Sequence, residues 1–187
     1  MRREETLKVY FDLDGSYKTS QGEWTVPQKK GQLILTPKEL PATVTEEEFK
    51  KFRLKIGLPV QGLDFDNEML LCVGDEEYVS YTKGCYLGQE VVERIRSRGH
   101  VNKKLCGLLL DGSAPARPGD AIIAADDEVG KITSSVSSVA LNRPIALGYI
   151  HKDFWSPGTN LSVRQVNGSI AATVTTLPFV TSSPSSS

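Results

Sequence analysis

Residues 83–90 read KGCYLGQE, which places a lysine, a thiol and a glutamine–glutamate pair within eight positions. A thiolate is far more reactive than a thiol, and a nearby cation or a helix N-terminus lowers the thiol pKa. Lys83 stands two residues before Cys85, and the sequence that follows, GQEVVERIRSR, predicts a helix over 88–98. On local sequence alone, Cys85 is either an activated thiol or a small packing residue. A zinc site needs several Cys or His ligands, and no such cluster surrounds Cys85, His100 or His151, so no metal is expected. Lys83 favours the functional reading of Cys85, because burying an unpaired ammonium beside a packing residue is costly.

The neighbours of that thiol carry paired readings. Gly84 and Gly88 either let the backbone approach a ligand or shape a strand-to-helix turn. Gln89 offers both a donor and an acceptor, which suits the amide edge of a heterocycle. Glu90 either binds a ring amine or stabilises the helix N-terminus and pairs with Arg94 at i,i+4. From 83 to 104 there are six basic residues (Lys83, Arg94, Arg96, Arg98, Lys103, Lys104) against Glu90 and Glu93. This run is a candidate anion site, with Arg94 and Arg98 on one helix row, or a solvated face. Cys72 in MLLCVG and Cys106 in KLCGLLL have apolar surroundings and read as buried small hydrophobes.

The elements around the motif follow from pattern. Leu7–Leu13 and Gln32–Thr36 read as strands among the turn signals LDGS, SQGEW and KKGQ. TVTEEEFKKFRLKIG predicts a helix over 45–56: Thr45 and Glu48 have capping-box spacing, Phe49, Phe52 and Ile56 recur on one face, and Gly57-Leu58-Pro59 ends it. Beyond 104 the pattern turns to β, with about six short apolar or β-branched runs punctuated by Gly, Pro, Asp and Asn, and an Asn-Gly hairpin signal in VNGS. The fold class expected is α+β: a mixed α/β region over 1–103 carrying KGCYLGQE, a compact antiparallel β-barrel or sandwich over 104–180, and a disordered Ser-rich tail over 181–187.

The 187 residues are 39% hydrophobic and 24% charged with a net charge of −1. That is a globular composition with enough apolar material for a core. Near-neutral charge predicts no nucleic-acid or membrane partner, and no apolar run of about 18 residues occurs. Three widely spaced cysteines without CxxC fit a reducing compartment.

KGCYLGQEVVERIRSRGHVNKKL resembles the signature of the YgfZ-type folate-binding proteins, relatives of the glycine cleavage T-protein (aminomethyltransferase). RLKIGLPVQGLDFDNE upstream and GLLLDG, VGKITSS and IALGYI downstream extend the resemblance over about 50–178. It implies a truncated T-protein-like architecture ending in a C-terminal β-barrel. It also implies a tetrahydrofolate or other reduced-folate cofactor, and an accessory role in iron–sulfur cluster assembly or repair rather than a turnover activity. The family's lysine and cysteine fall on Lys83 and Cys85, and the rest of its motif on Gly84, Tyr86, Gly88, Gln89 and Glu90; with folate as ligand, the basic run is expected to meet its glutamate tail through Arg98 or Lys103. Two departures are visible. T-proteins carry Gly-Arg-Glu where this chain has Gly88-Gln89-Glu90, and Lys55 stands where relatives often carry glutamate. The alternatives implied are a folate-dependent aminomethyltransferase-like one-carbon enzyme and a non-catalytic binding module of a truncated paralogue. Expected partners are folate, iron–sulfur assembly or client proteins, and an N-terminal half supplied in trans. RIRSRGHVN resembles bacterial members, which implies the cytoplasm, or the mitochondrial matrix in a eukaryote.

Overall fold

The computed structural model describes residues 8–12, 14–27, 31–41, 43–66, 70–73, 101–166 and 168–179. They form two compact units, Met1–Glu48 and Phe49–Ser187.

In the first unit, β1 (Lys8–Asp12), β2 (Trp24–Pro27) and β3 (Gln32–Thr36) make an antiparallel sheet in the order β1-β3-β2. β1 and β3 fall where the sequence predicts strands. β2 replaces what reads as turn punctuation: Trp24, Thr25 and Val26 are β-formers, but the strand is four residues long and ends at Pro27. Side-chain bonds tie the loops to one sheet face. Glu23 accepts from the Ser20 amide at 2.6 Å and the Thr36 hydroxyl at 2.9 Å, and pairs with Lys38 at 3.0 Å. Asp12 accepts from the Tyr17 amide at 2.8 Å and Gln32 Nε2 at 2.9 Å.

The predicted helix is α1, Glu46–Lys55. Its capping box forms: the Thr45 amide donates to Glu48 Oε2 at 2.7 Å and the Glu48 amide to Thr45 Oγ1 at 3.2 Å. It ends in a Schellman motif, with the Leu58 amide on the Arg53 carbonyl, the Gly57 amide on the Leu54 carbonyl, and Gly57 at φ +71°. The buried face is not quite the predicted one. Phe49 and Phe52 are half-buried, whereas Arg53 and Leu54 are fully buried. A single turn of helix, α2 (Leu70–Val73), follows.

The second unit is built on the β-barrel, which is closed and antiparallel, in the order β4-β7-β6-β5-β8-β9. Its strands are β4 (Lys103–Leu110), β5 (Ala121–Ala124), β6 (Asp127–Ser138), β7 (Arg143–His151), β8 (Asn160–Gln165) and β9 (Gly168–Thr175). The fold class read from the sequence therefore holds, as a barrel rather than a sandwich. β8 and β9 form the hairpin that VNGS signals, with Gln165 paired to Gly168. Alternation sorts the side chains. Cys106, Leu108, Leu110, Ala146 and Ile150 fill the interior with Ile122, Ile132 and Val163. Leu105, Ile145, Leu147 and Tyr149 point outward, but there they meet Leu54, Cys72 and Val73, with Leu177 and Phe179 packed alongside. Both faces of β4 and β7 are therefore apolar. Gly107 lets the C-terminal segment lie across β4: a Cβ there would be 2.8 Å from Leu177 and 3.0 Å from Phe179.

Candidate functional site

A charged pair in the core organises the outer wall of the barrel. Arg53 Nη1 lies 2.6 Å from Asp64 Oδ2, and the two side chains are 2% and 0% exposed. Burial of two ions is tolerated only when every remaining polar valence is used. Here Arg53 Nη2 donates to Ser134 Oγ at 2.8 Å, the Val60 amide donates to Asp64 Oδ2 at 3.0 Å, and the Thr133 hydroxyl donates to Asp64 Oδ1 at 2.7 Å. The network thus joins α1, the 58–66 loop and β6.

The Thr133 contact depends on a strand irregularity. Against β7, Ile132 pairs with Gly148 and Ser134 with Leu147, so Thr133 is an extra residue in β6. A bulge of this kind bends a strand and re-aims a side chain. A second register shift lies earlier in β6, where Ile122 pairs with Gly130 and Ile123 with Glu128. The two irregularities bracket the stretch of β6 that faces the 62–66 loop.

Between that loop and the barrel lies a cleft of about 860 Å³, whose walls include Leu63, Asp64, Phe65, Lys103, Glu128, Gly130, Lys131, Thr133, Tyr149, His151 and Phe154. Its volume lies in the range of small-molecule sites. Asp64 sits in its wall, already held by the network described above. Lys103 Nζ stands 4.7 Å from the centre of the Tyr149 ring, a cation–π geometry. Lys131 approaches Glu128 at 3.5 Å, and His151 Nδ1 lies 3.3 Å from Asp153 Oδ2. Three aromatic rings (Phe65, Tyr149, Phe154) share the cleft with two lysines and four carboxylates (Asp64, Asp66, Glu128, Asp153), so it offers apolar surface among charges of both signs. Among the described residues no group of His, Cys, Asp and Glu could hold a metal ion, and no helix is long and apolar enough to cross a membrane.

The residues singled out in the sequence, Lys83, Gly84, Cys85, Tyr86, Gly88, Gln89, Glu90 and Arg98, with the predicted 88–98 helix, lie outside the described residues. The described chain resumes at Val101, and Asn102 and Lys103 at once line the cleft. Cys72 and Cys106 are buried, as their apolar surroundings suggest. Burial pushes the Cys106 thiol up to about 11, with Lys104 opposing only weakly. Sequence reasoning did not single out Asp64, Thr133, Tyr149 or Phe154. The nearest signal was the acidic loop LDFDNE, in which spacing does not say which carboxylate turns inward.

Comparison with known proteins bears on this geometry. The glycine cleavage T-protein C-terminal barrel domain matches residues 103–181. A putative chloroplastic transferase of Arabidopsis thaliana is 32% identical over 133 residues, covering 71% of this chain and 30% of that protein. The aminomethyltransferase of Cutibacterium acnes is 30% identical over 171 residues, covering 90% of this chain and 44% of its own length. The crystal structure of glycine cleavage system aminomethyltransferase T from Bartonella henselae shares the fold, with a TM-score of 0.69 at 19% identity over 86% of this chain and 50% of that one. The match spans half or less of each of these relatives.

Proposed function

We propose that this chain, a glycine cleavage T-protein-like relative, binds a reduced folate at the cleft between the 62–66 loop and the barrel. The observation that carries the reading is the lining of that cleft: Phe65, Tyr149 and Phe154 beside Lys103 and Lys131. The rings supply stacking surface for a pterin or benzoyl ring, and the lysines answer the carboxylates of a glutamate tail. Tetrahydrofolate, when bound, supplies the nitrogens that carry one-carbon units. Asp64, locked by Arg53 and Thr133, keeps the loop seated against β6 so that the cleft keeps its width. In this reading Lys83, Gly84, Cys85, Tyr86, Gly88, Gln89, Glu90 and Arg98 belong to the same binding function, with Cys85 as its reactive thiol.

The finer reading is a YgfZ-type accessory protein of iron–sulfur cluster assembly or repair, working in the bacterial cytoplasm. The KGCYLGQE motif supports it. The names of the relatives favour the other reading, a folate-dependent aminomethyltransferase-like activity.

Titrating the full chain with tetrahydrofolate and following its thermal unfolding tests the common premise. At a hundredfold excess over Kd, stabilisation reaches about 2.7 kcal/mol. Lys103→Glu should weaken that response while lowering the melting temperature of the ligand-free protein only by the few degrees that loss of the contact with the Tyr149 ring costs. No shift at millimolar tetrahydrofolate would overturn the folate reading. Deleting the gene separates the finer roles: iron–sulfur enzymes that keep full activity under oxidative stress would rule out the accessory role.

A further inference from the structure

Tyr149 lines the cleft, yet it is only 7% exposed. Its surroundings follow from strand register. On the outer side of the barrel, Tyr149 of β7 stands between Leu105 of β4 and Lys131 of β6, and the next pair along that side is Lys103 with His151. Diagonal neighbours on one face of a sheet lie roughly 7–8 Å apart, within reach of a long side chain. Lys103 spans this diagonal and sets its ammonium 4.7 Å from the centre of the Tyr149 ring. A ring of the cleft wall is thus covered by a cation from the same wall.

The described groups around that ring differ in their freedom to move. Leu105 and Leu147 are buried with Tyr149 in the cluster that also takes in Leu54, Cys72 and Val73, and close packing holds them in place. Lys131 lies 3.5 Å from Glu128. Lys103 is an exposed side chain at the first residue of β4, on a flexible aliphatic stem. A flat ligand that stacks on Tyr149 must therefore take the place of the Lys103 ammonium. At an exposed site, a cation on an aromatic face is worth about a two- to fivefold factor in an equilibrium constant. An uncharged ring system forfeits that factor when it displaces the lysine. A ring system with a carboxylate recovers it, because the displaced ammonium meets the carboxylate in an exposed ion pair of similar worth.

We infer that Lys103 is a latch on Tyr149, and that it selects flat ligands carrying an anionic group over the same rings without one. The inference deepens the folate reading and rests on it. The test titrates the full chain calorimetrically with tetrahydrofolate and with its glutamate diamide, which keeps the ring systems and has no carboxylate. In Lys103→Ala the diamide should bind about threefold more tightly than in the parent, since no cation has to leave the ring. Tetrahydrofolate should change by less than about twofold there, its lost ion pair offset by the open ring. Lys103→Arg restores a cation that stacks on aromatic faces and should return the diamide to the parent affinity. Lys131→Ala should leave the diamide affinity where it was. A lysine that only receives the carboxylate would give another pattern in Lys103→Ala, with tetrahydrofolate weaker and the diamide no tighter; that result would overturn the latch and leave folate binding standing. Equal tightening of the diamide in Lys131→Ala would overturn it too, because the effect would then belong to the charge of the cleft and not to the cover on the ring. Binding of neither compound by the parent or by Lys103→Ala would overturn the folate reading and the latch together.

Discussion

Asp64→Asn removes the charge that answers Arg53 while nearly keeping the shape of the side chain. Arg53 would remain 2% exposed, with Ser134 Oγ at 2.8 Å and the Leu58 carbonyl at 3.4 Å as its remaining partners. Removing one member of a buried pair costs about 3–5 kcal/mol, because the other charge is left without compensation. In a unit of this size about 1 kcal/mol moves the melting temperature by ~2–4 °C, so the loss should be on the order of 10 °C. The double variant Arg53→Met/Asp64→Leu should recover most of that, since two buried ions are replaced by apolar volume. It should still fall about 1–2 kcal/mol short of the parent, for the Val60 amide and the Ser134 and Thr133 hydroxyls lose their partners. Urea unfolding followed by the fluorescence of Trp155, which packs against the barrel core, in a Trp24→Phe background reads this unit. A loss below about 1 kcal/mol in Asp64→Asn, or a double variant as unstable as the two single losses added, would refute the view that this pair is the keystone of the cleft wall.

Three further outcomes follow from single groups. The Ser20 amide, then Lys38, Thr36 and Tyr17, lower the Glu23 carboxyl from 4.5 to about 2. Its stabilisation is thus complete above about 4.5 and lost as pH falls towards about 2; Trp24 fluorescence should report that loss, and Glu23→Gln should abolish the dependence. Gly130→Ala puts a Cβ 2.0 Å from the Tyr149 carbonyl oxygen, whereas in Gly107→Ala it meets the mobile end of Leu177 at 2.8 Å. The first should cost about 3 kcal/mol or more and the second about 1 kcal/mol, and reversed urea midpoints would contradict this. Cys106, raised to about 11 by burial, and buried Cys72 should alkylate more slowly than Cys85 in the native protein; equal rates in peptide mass mapping would remove the case for an activated Cys85.

The barrel was legible because its strands are short, β-rich and separated by strong turn signals. The facing of those strands was not. KKLCGLLL carries Cys106, Leu108 and Leu110 into the interior, but Leu105 and Leu109 are apolar too, because that side is covered as well. A strand buried on both faces gives up the alternation that would reveal its orientation. The turn between β5 and β6 was also obscured: Ala125 and Asp126 take φ of +46° and +84° without a glycine. The Arg53–Asp64 pair spans eleven residues, a separation set by the loop and not by helix or strand period. Thr133 reaches Asp64 only because β6 bulges, and nothing in KITSSV distinguishes the extra residue from its neighbours. The KGCYLGQE motif, by contrast, is a matter of residue types at close spacing, and it lies outside the described residues.

The bonding of the cleft carboxylates bears on whether Asp64 could serve in an aminomethyl transfer. A transfer of that kind needs a carboxylate poised beside the folate nitrogen, with a lone pair to take or direct a proton. Asp64 is the buried carboxylate of the cleft, and both its oxygens are engaged, Oδ2 by Arg53 and the Val60 amide and Oδ1 by Thr133. Taking up a substrate proton there would break the ion pair that holds the wall in place, at a cost of about 3–5 kcal/mol. Asp66, Glu128 and Asp153 are exposed at the same cleft, and Glu128 and Asp153 already face Lys131 and His151. Asp64 is therefore not expected to be the proton acceptor of such a transfer, and incubating the full chain with tetrahydrofolate and an aminomethylated lipoyl carrier tests for the transfer directly. Release of ammonia together with methylene-tetrahydrofolate would show that a carboxylate other than Asp64 does the work. If that release survived in Asp64→Asn, Asp64 would be excluded as the acting group, and a cleft that still worked without the ion pair would count against its keystone role.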